Sequence, residues 1–88
     1  MAGVYLATFV LRGKNIRKML EVLREDDKTQ AELHKLTNMY RTHVLRTLNE
    51  LISKKLVKCI NSNDNRYKIY ELTLLGKNTI NEISELKR

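Results

Sequence analysis

The sequence of 88 residues contains no proline, no tryptophan and only three glycines. Proline and glycine punctuate a chain between structural units, and there is no low-complexity stretch and no internal repeat either, so nothing marks a boundary between two domains. We therefore predict one small domain over residues 1–88. A chain of this length buries only a modest core, so its folding can depend on a partner subunit.

Cysteine is also scarce, because Cys59 is the only one. A single cysteine excludes an intramolecular disulfide and a cysteine-rich zinc site, and it favours a reducing compartment. Cys59 is either a small buried hydrophobe or, beside Lys58, a redox-sensitive thiol. The apolar run of residues 4–11 is too short to span a bilayer and lacks the flanks of a signal peptide. We expect a cytoplasmic protein with no membrane partner.

The residue patterns that catalysis requires are missing as well. The sequence has no glycine-rich phosphate loop, and no Ser or Cys nucleophile accompanied by an evident base. Neither His34 nor His43 has a set of Cys, His or carboxylate residues that would complete a metal shell. We predict that the protein is not an enzyme and needs no metal or other cofactor.

What the sequence has in excess is positive charge. Seventeen Lys and Arg residues against ten Asp and Glu give a net charge of +7. Residues 1–24 and 39–58 each hold five basic and one acidic residue, whereas residues 25–38 hold two basic and four acidic residues. An excess gathered in two segments favours a polyanionic partner.

The first half of the hydrophobic pattern predicts helices. Residues 1–13 form an apolar segment whose secondary structure the pattern leaves open, and Asn15 is the predicted N-cap of helix 1. A polar turn at residues 25–28 follows, and Thr29 with Glu32 forms a capping box that begins helix 2. The apolar stripe of helix 1 and the inward residues of helix 2 are, in order, Ile16, Met19, Leu20 and Leu23, then Ala31, Leu33 and Leu36.

The second half predicts a longer helix, a hairpin and a last helix. Asn38 ends helix 2 because Asn tolerates a left-handed conformation, and Met39 fills the turn from inside. Helix 3 should then bury Val44, Leu45, Leu48, Leu51 and Ile52. Two strands, residues 56–60 and 66–72, flank an Asn-rich turn, with Tyr70 and Leu72 on one face. Thr73 caps a C-terminal helix over residues 74–88. The fold class is thus α+β and mostly helical.

A three-helix core with a two-stranded hairpin after it is a winged helix-turn-helix, and the outer face of helix 3 is its candidate DNA-reading surface. An α-helix fits the major groove, where Arg46 can bind guanine and Thr42 or Thr47 can touch a thymine methyl group. Basic residues of the hairpin can hold phosphates. The alternatives are an ordinary solvated face and a hairpin charged for solubility. The predicted DNA-binding residues are Tyr40, Arg41, Thr42, His43, Arg46, Thr47, Lys58, Arg66 and Lys68.

These segments resemble the winged helix-turn-helix domains of small MarR- or ArsR-like transcription regulators, especially compact archaeal ones. The resemblance covers residues 12–86 and is carried by residues 12–15 (RGKN), 29–33 (TQAEL), 40–51 (YRTHVLRTLNEL), 55–57 (KLV) and 72–77 (LTxxGK). It implies sequence-specific binding of double-stranded DNA, usually as a homodimer on a palindromic site.

Two positions depart from the family pattern. Tyr40 stands where Ser or Thr usually caps the recognition helix, and a DNA phosphate is a natural substitute for that missing cap. Lys55 stands where Gly usually follows the helix, and a Lys in a left-handed turn costs on the order of 1 kcal/mol.

Apolar surface at both ends of the chain predicts a homodimer. The run of residues 4–11 and the stripe of the last helix exceed what a three-helix core needs; the stripe comprises Leu75, Ile80, Ile83 and Leu86. The competing account is a monomer whose two ends fold onto its own core. A second functional hypothesis is a protein-interaction module in a larger complex, with an apolar patch rather than the basic helix as its contact. No segment predicts a pocket for a small-molecule effector.

Overall fold

A short antiparallel sheet and a set of helices build the fold in the computed structural model, which describes residues 9–11, 13–63 and 67–86, without the side chains of residues 84–86. Residues 9–11 are helical, which decides the form of that part of the N-terminal segment. The remaining elements in chain order are α1 (Lys14–Glu25), β1 (Lys28–Thr29), α2 (Gln30–Thr37), α3 (Arg41–Ser53), β2 (Val57–Cys59), β3 (Ile69–Leu72) and α4 (Leu74–Leu86). Among the described residues, no helix combines the length and the hydropathy needed to cross a membrane.

Helix α1 buries the stripe that its sequence predicts, but it begins earlier than expected. Met19, Leu20 and Leu23 are buried. The prediction that Asn15 caps the helix is wrong: the backbone N–H of Arg17 donates to the carbonyl of Gly13 at 3.0 Å, so Gly13 is the N-cap and Asn15 lies inside the first turn. Glycine offers no side-chain cap at this end.

The start of α2 confirms the predicted capping box. The backbone N–H of Glu32 donates to Thr29 Oγ1 at 3.2 Å, and the backbone N–H of Thr29 donates to Glu32 Oε1 at 2.9 Å. The hydrogen bond from the Thr29 backbone, followed by that from its side chain, lowers the pKa of the Glu32 carboxyl group because both favour its charged form. Each end residue of the box satisfies a donor that the helix leaves free.

The remainder of α2 shows which side of this short helix faces the core. Leu33 is buried as predicted, whereas Ala31 and Leu36 are exposed, so those two predictions are wrong. Thr37 takes the inward position one turn after Leu33, and its Oγ1 donates to the Leu33 carbonyl at 2.5 Å. A threonine that bonds back to its own helix can be buried without an unpaired hydroxyl.

The turn between α2 and α3 is short and follows the prediction. Asn38 adopts the left-handed conformation with φ of 58°, and its backbone N–H donates to the carbonyl of His34. Met39 is buried below the turn. Helix α3 is therefore positioned against α2 by the left-handed C-cap residue Asn38 and by the buried side chain of Met39.

Helix α3 turns a slightly different side to the core than its sequence suggested. Val44, Leu48 and Leu51 are buried as predicted, but Leu45 and Ile52 are exposed and Thr47 is buried in their place. Positions 44, 47, 48 and 51 follow the helical i, i+3, i+4, i+7 spacing, which leaves positions 45 and 52 on a flank. The packing of α1, α2 and β2 on this side selects that register.

The C-terminus of α3 ends in a Schellman motif. The backbone N–H of Leu56 donates to the Leu51 carbonyl and that of Lys55 donates to the Ile52 carbonyl, both at 2.9 Å. Lys55 has φ of 63°, so the lysine adopts the left-handed conformation that glycine usually supplies at this position, in spite of its cost. Leu56 and Leu51 are both fully buried, which supplies the apolar contact that accompanies this motif.

The sheet contains the predicted hairpin and one strand more. Strands β2 and β3 pair antiparallel, and β1 pairs with the other edge of β3 through Lys28 opposite Tyr70 and Thr29 opposite Ile69. The sequence predicted only a polar turn at Lys28, because a strand of two residues has no periodicity to detect. Tyr70 and Leu72 share the buried face as predicted.

Both described ends of the chain pack into the same core. Val10, Ile80 and Ile83 are buried together with residues of α1 and α3. These residues therefore supply no free surface for a dimer, and this premise of the dimer prediction is wrong for them. Leu75 keeps an exposed side chain, while residues 1–8 and the side chain of Leu86 lie outside the described part.

Helix α4 begins with the predicted cap. The backbone N–H of Gly76 donates to Thr73 Oγ1 at 3.0 Å, and Thr73 Oγ1 donates to the Lys55 carbonyl at 2.7 Å. Thr73 also donates its backbone N–H to the Leu56 carbonyl at 3.0 Å. The last helix is thus joined to the residues that follow α3.

The left-handed lysine generates a first prediction. We expect Lys55→Gly to raise the free energy of unfolding by about 0.5–1 kcal/mol, because glycine adopts this φ without a Cβ clash. Asn38→Gly, at the other left-handed residue, should change it by less, since Asn tolerates that conformation. Urea denaturation of the two variants measures both values. A loss of stability in Lys55→Gly would contradict this geometry.

Gly76 generates a second prediction. A Cβ at this position would lie 2.2 Å from the Leu56 carbonyl oxygen, which the Thr73 N–H also holds. Alanine is the better helix former, but this overlap with backbone should make Gly76→Ala lower the free energy of unfolding by about 1–3 kcal/mol. Asn78→Ala, at an exposed position two residues later, is the control and should stay within about 0.5 kcal/mol in the same thermal or urea titration.

Candidate nucleic-acid interface

The outward half of α3 carries most of the residues predicted to read DNA. Because its buried side is formed by Val44, Thr47, Leu48 and Leu51, the opposite side faces solvent. The exposed residues of the first three turns are Arg41, Thr42, His43, Leu45, Arg46, Asn49 and Glu50. A helix that projects cations and hydroxyl groups in this way can reach base edges in a major groove.

Thr47 does not belong to this surface. Its side chain is 7% exposed and faces the core, so the prediction that it lies outward is wrong. Threonine is short enough to fill an inward position between larger apolar residues. The sequence pattern predicted that Leu45 rather than Thr47 would be buried, because leucine is the more apolar residue.

The N-terminus of α3 lacks a side-chain cap. Tyr40 occupies the N-cap position without a capping hydrogen bond, and its ring is 78% exposed. The first bond within the helix runs from the Val44 N–H to the Tyr40 carbonyl at 2.9 Å. The backbone N–H groups of the first turn, before Val44, have no acceptor within the helix. Together with the positive end of the helix dipole, they make this end suited to an anion.

Two aromatic rings lie together beside that end. The Tyr40 and His43 rings meet edge to face, with centroids 6.2 Å apart and planes at 82°.

His34 has a different role, because its Nδ1–H donates to the carbonyl of Met39 and so joins α2 to the turn. Among the described residues, no group of three His, Cys, Asp or Glu side chains is placed to hold a metal ion.

In the hairpin formed by β2 and β3, here called the β-wing, Lys58 is already engaged. Its Nζ lies 3.1 Å from Glu71 Oε1, and the two residues face each other across β2 and β3 on the exposed side of the sheet. Lys68 and Tyr67 are exposed at the start of the returning strand. Arg66, the third predicted wing cation, lies outside the described residues. Of the two predicted cations that the structure describes here, Lys58 has a carboxylate partner and Lys68 is exposed to solvent.

Asn61 organises the hairpin, a role that the sequence did not reveal. Its Nδ2 donates to the carbonyl of Tyr67, and its Oδ1 accepts the backbone N–H of Ile69 at 2.7 Å. Cys59 Sγ also lies 3.7 Å from that oxygen. The Asn-rich composition predicted a turn, but only the fold shows which Asn crosses between the strands. Cys59 is half-buried here, and its redox sensitivity stays a prediction.

A groove separates α3 from the wing. It has a volume of about 590 Å³ and is bounded by the start of α2, by Leu45 of α3, by Tyr70 of β3, and by Tyr67 and Lys68 just before β3. Burial raises the pKa of the Tyr70 hydroxyl, with a smaller contribution from Cys59, so this tyrosine stays neutral over the ordinary pH range. Leu45 and Tyr67 were not among the predicted site residues. The i, i+4 series of Arg41, Leu45 and Asn49 was the signal available in the sequence.

The model of one protein family matches the chain. It is described as a winged helix DNA-binding domain, and it matches residues 14–76, which hold α1 to α3, the sheet and the start of α4. No curated protein sequence matches the chain.

Solved structures supply a second comparison. A MarR variant from E. coli in complex with operator DNA superposes with a TM-score of 0.75, at 28% identity over 83% of this chain and 54% of that one. A MepR–DNA complex from S. aureus has a TM-score of 0.75, at 23% identity over 85% of this chain and 64% of that one. In both cases the chain spans less than two thirds of the length of the protein that it resembles.

A third structure is similar over more of its own length. It is the homodimeric winged helix-turn-helix domain of a possible ArsR-family regulator from Mycobacterium bovis. The TM-score is 0.74, at 16% identity over 97% of this chain and 75% of that one. Similarity at this level and in the MepR complex concerns the fold.

The two threonines of α3 test which side of the helix is buried. We expect Thr47→Glu to lower the free energy of unfolding by about 3 kcal/mol or more, because it places an unpaired charge in the core. Thr42→Glu should leave stability unchanged or slightly raised, since its position is exposed and near a helix N-terminus. Circular dichroism during urea denaturation measures both. Equal losses in the two variants would contradict the assigned register.

Proposed function

The chain belongs to the winged helix DNA-binding domain family, and on that premise we propose that it binds double-stranded DNA sequence-specifically and regulates transcription. One observation carries the proposal: the core holds Val44, Leu48 and Leu51, so that Arg41 and Arg46 project from the opposite side of α3. The net charge of +7 supports a polyanionic partner.

Helix α3 enters the major groove in this proposal, with its N-terminal turns toward the base edges. Arg46 binds O6 and N7 of a guanine, and Thr42 contacts a neighbouring base. Tyr40, Arg41 and His43 lie where the helix begins and contact the phosphate backbone. A phosphate there also supplies the cap that Tyr40 does not provide.

The β-wing contacts the flanking backbone or the minor groove. Lys68 is exposed beside the groove and Arg66 precedes it in sequence, so both are proposed phosphate contacts. Lys58 contributes less, because a phosphate must compete with Glu71 for its ammonium group. These contacts add affinity with little dependence on base sequence.

A homodimer is the proposed binding unit. The homodimeric state of the Mycobacterium bovis domain supports it, and so does Leu11, an exposed leucine close to the described N-terminal end of this chain. Two α3 helices about 34 Å apart would meet successive major grooves of a palindromic site. We further propose a single domain over residues 1–88, acting in the cytoplasm and catalysing no reaction.

Arg46 provides the test of base reading. We expect Arg46→Ala to weaken binding to the preferred duplex by about 1–3 kcal/mol per half-site and to relax selectivity at one base pair in each half-site, because each subunit loses a bidentate contact with guanine. Lys77→Ala, which removes an equal charge from α4, is the control. Selection from random duplexes finds the preferred site, and a mobility-shift titration gives the affinities. Unchanged selectivity in Arg46→Ala would contradict docking by α3.

Lys68 provides the test of the wing. We expect Lys68→Ala to weaken preferred and random duplexes alike. It should reduce the slope of log K against log salt by about 1.8, because each subunit of the dimer loses one phosphate contact worth about 0.9. Fluorescence anisotropy at several salt concentrations measures that slope. If the wild-type chain shows no affinity for random duplex at about 100 mM salt, the protein-interaction hypothesis becomes the better account.

A further inference from the structure

Leu45 is an apolar side chain on α3 that the core leaves unburied. Its side chain is 43% exposed, although Val44 before it is fully buried. Arg41 lies one helical turn before it and Asn49 one turn after it, so a leucine stands between two polar residues on the surface proposed to face DNA. A polar residue would serve solubility better at this position.

The direction in which Leu45 faces follows from the groove beside it. Leu45 bounds the groove of about 590 Å³ on the side of α3, and Tyr67 and Lys68 bound it on the side of the wing. The leucine thus lies between the helix and the hairpin that are proposed to contact one duplex. Docking of α3 would bring it against the DNA rather than leave it in solvent.

The major groove offers few groups that an aliphatic side chain can contact favourably. Most atoms on the base edges are hydrogen-bond donors or acceptors, and covering one with leucine leaves it unpaired at a cost. The exception is the 5-methyl group of thymine, which is apolar and projects into the groove. A leucine in the interface therefore selects a thymine in preference to the other bases.

We propose that Leu45 determines specificity by contacting a thymine 5-methyl group in each half of the binding site. The proposal rests on the proposed function, because it requires α3 to lie in the major groove. It adds an apolar element to the polar reading by Arg46 and Thr42. It also gives a role to the side chain that the sequence pattern had assigned to the core.

Deoxyuridine substitution isolates the methyl group. After selection of the preferred duplex, each thymine is replaced singly by deoxyuridine, which keeps base pairing and removes only that methyl. We expect each half-site to contain one thymine whose single replacement weakens wild-type binding about four-fold, the equivalent of one buried methyl group. The same replacement should have no effect on Leu45→Ala, because its partner is already absent. Leu36→Ala, an exposed leucine of α2 outside both proposed interfaces, is the control and should keep the four-fold effect.

Each outcome bears on a different claim. If the wild-type chain selects a duplex but no deoxyuridine replacement weakens binding, the thymine contact is wrong and the proposed function remains. If Leu45→Ala keeps the full effect of the replacement, another residue makes the contact and the assignment to Leu45 is wrong. If no duplex is selected at all, the proposed function itself fails. The scan on the wild-type chain needs no variant, so poor folding of Leu45→Ala would not prevent the test.

Discussion

The burial of one side of α3 is the constraint on which the rest of the molecule depends. Val44, Leu48 and Leu51 occupy the core, and a helix that buries one side must expose the other. Both ends of α3 are fixed by left-handed residues, Asn38 before it and Lys55 after it. With its rotation and its ends determined, the helix presents one set of polar residues to a partner.

The sheet relates the wing to that helix. Strand β1 leads directly into the capping box of α2, and its pairing with β3 brings the start of α2 next to the returning wing strand. Leu45 and Lys68 consequently bound a single groove although they lie far apart in sequence. The helix and the hairpin therefore form one surface, which suits a duplex that contacts both.

Local chemistry explains what the sequence could predict. The pair Thr29 and Glu32 and the left-handed Asn38 depend on neighbours within a few residues, so a pattern of residues is sufficient to identify them. The choice between Leu45 and Thr47 as the buried residue depends on which elements pack against α3, and local hydrophobicity favoured the wrong one. Strand β1 is too short to have a period, and its pairing with Tyr70 is a long-range contact. The sequence therefore predicted most of the outward side of α3, but neither the exposure of Leu45 nor the hydrogen bonds of Asn61 within the hairpin.

The most direct test of the central claim is a map of the DNA-contacting surface by two-dimensional NMR of the ¹⁵N-labelled chain, titrated with a duplex. The account predicts that chemical-shift changes concentrate on the N-terminal half of α3, including Thr42 and Arg46, and on Lys68 of the wing, and that added salt reverses them. Changes concentrated on α1 or α4, with the amides of α3 unaffected, would contradict it.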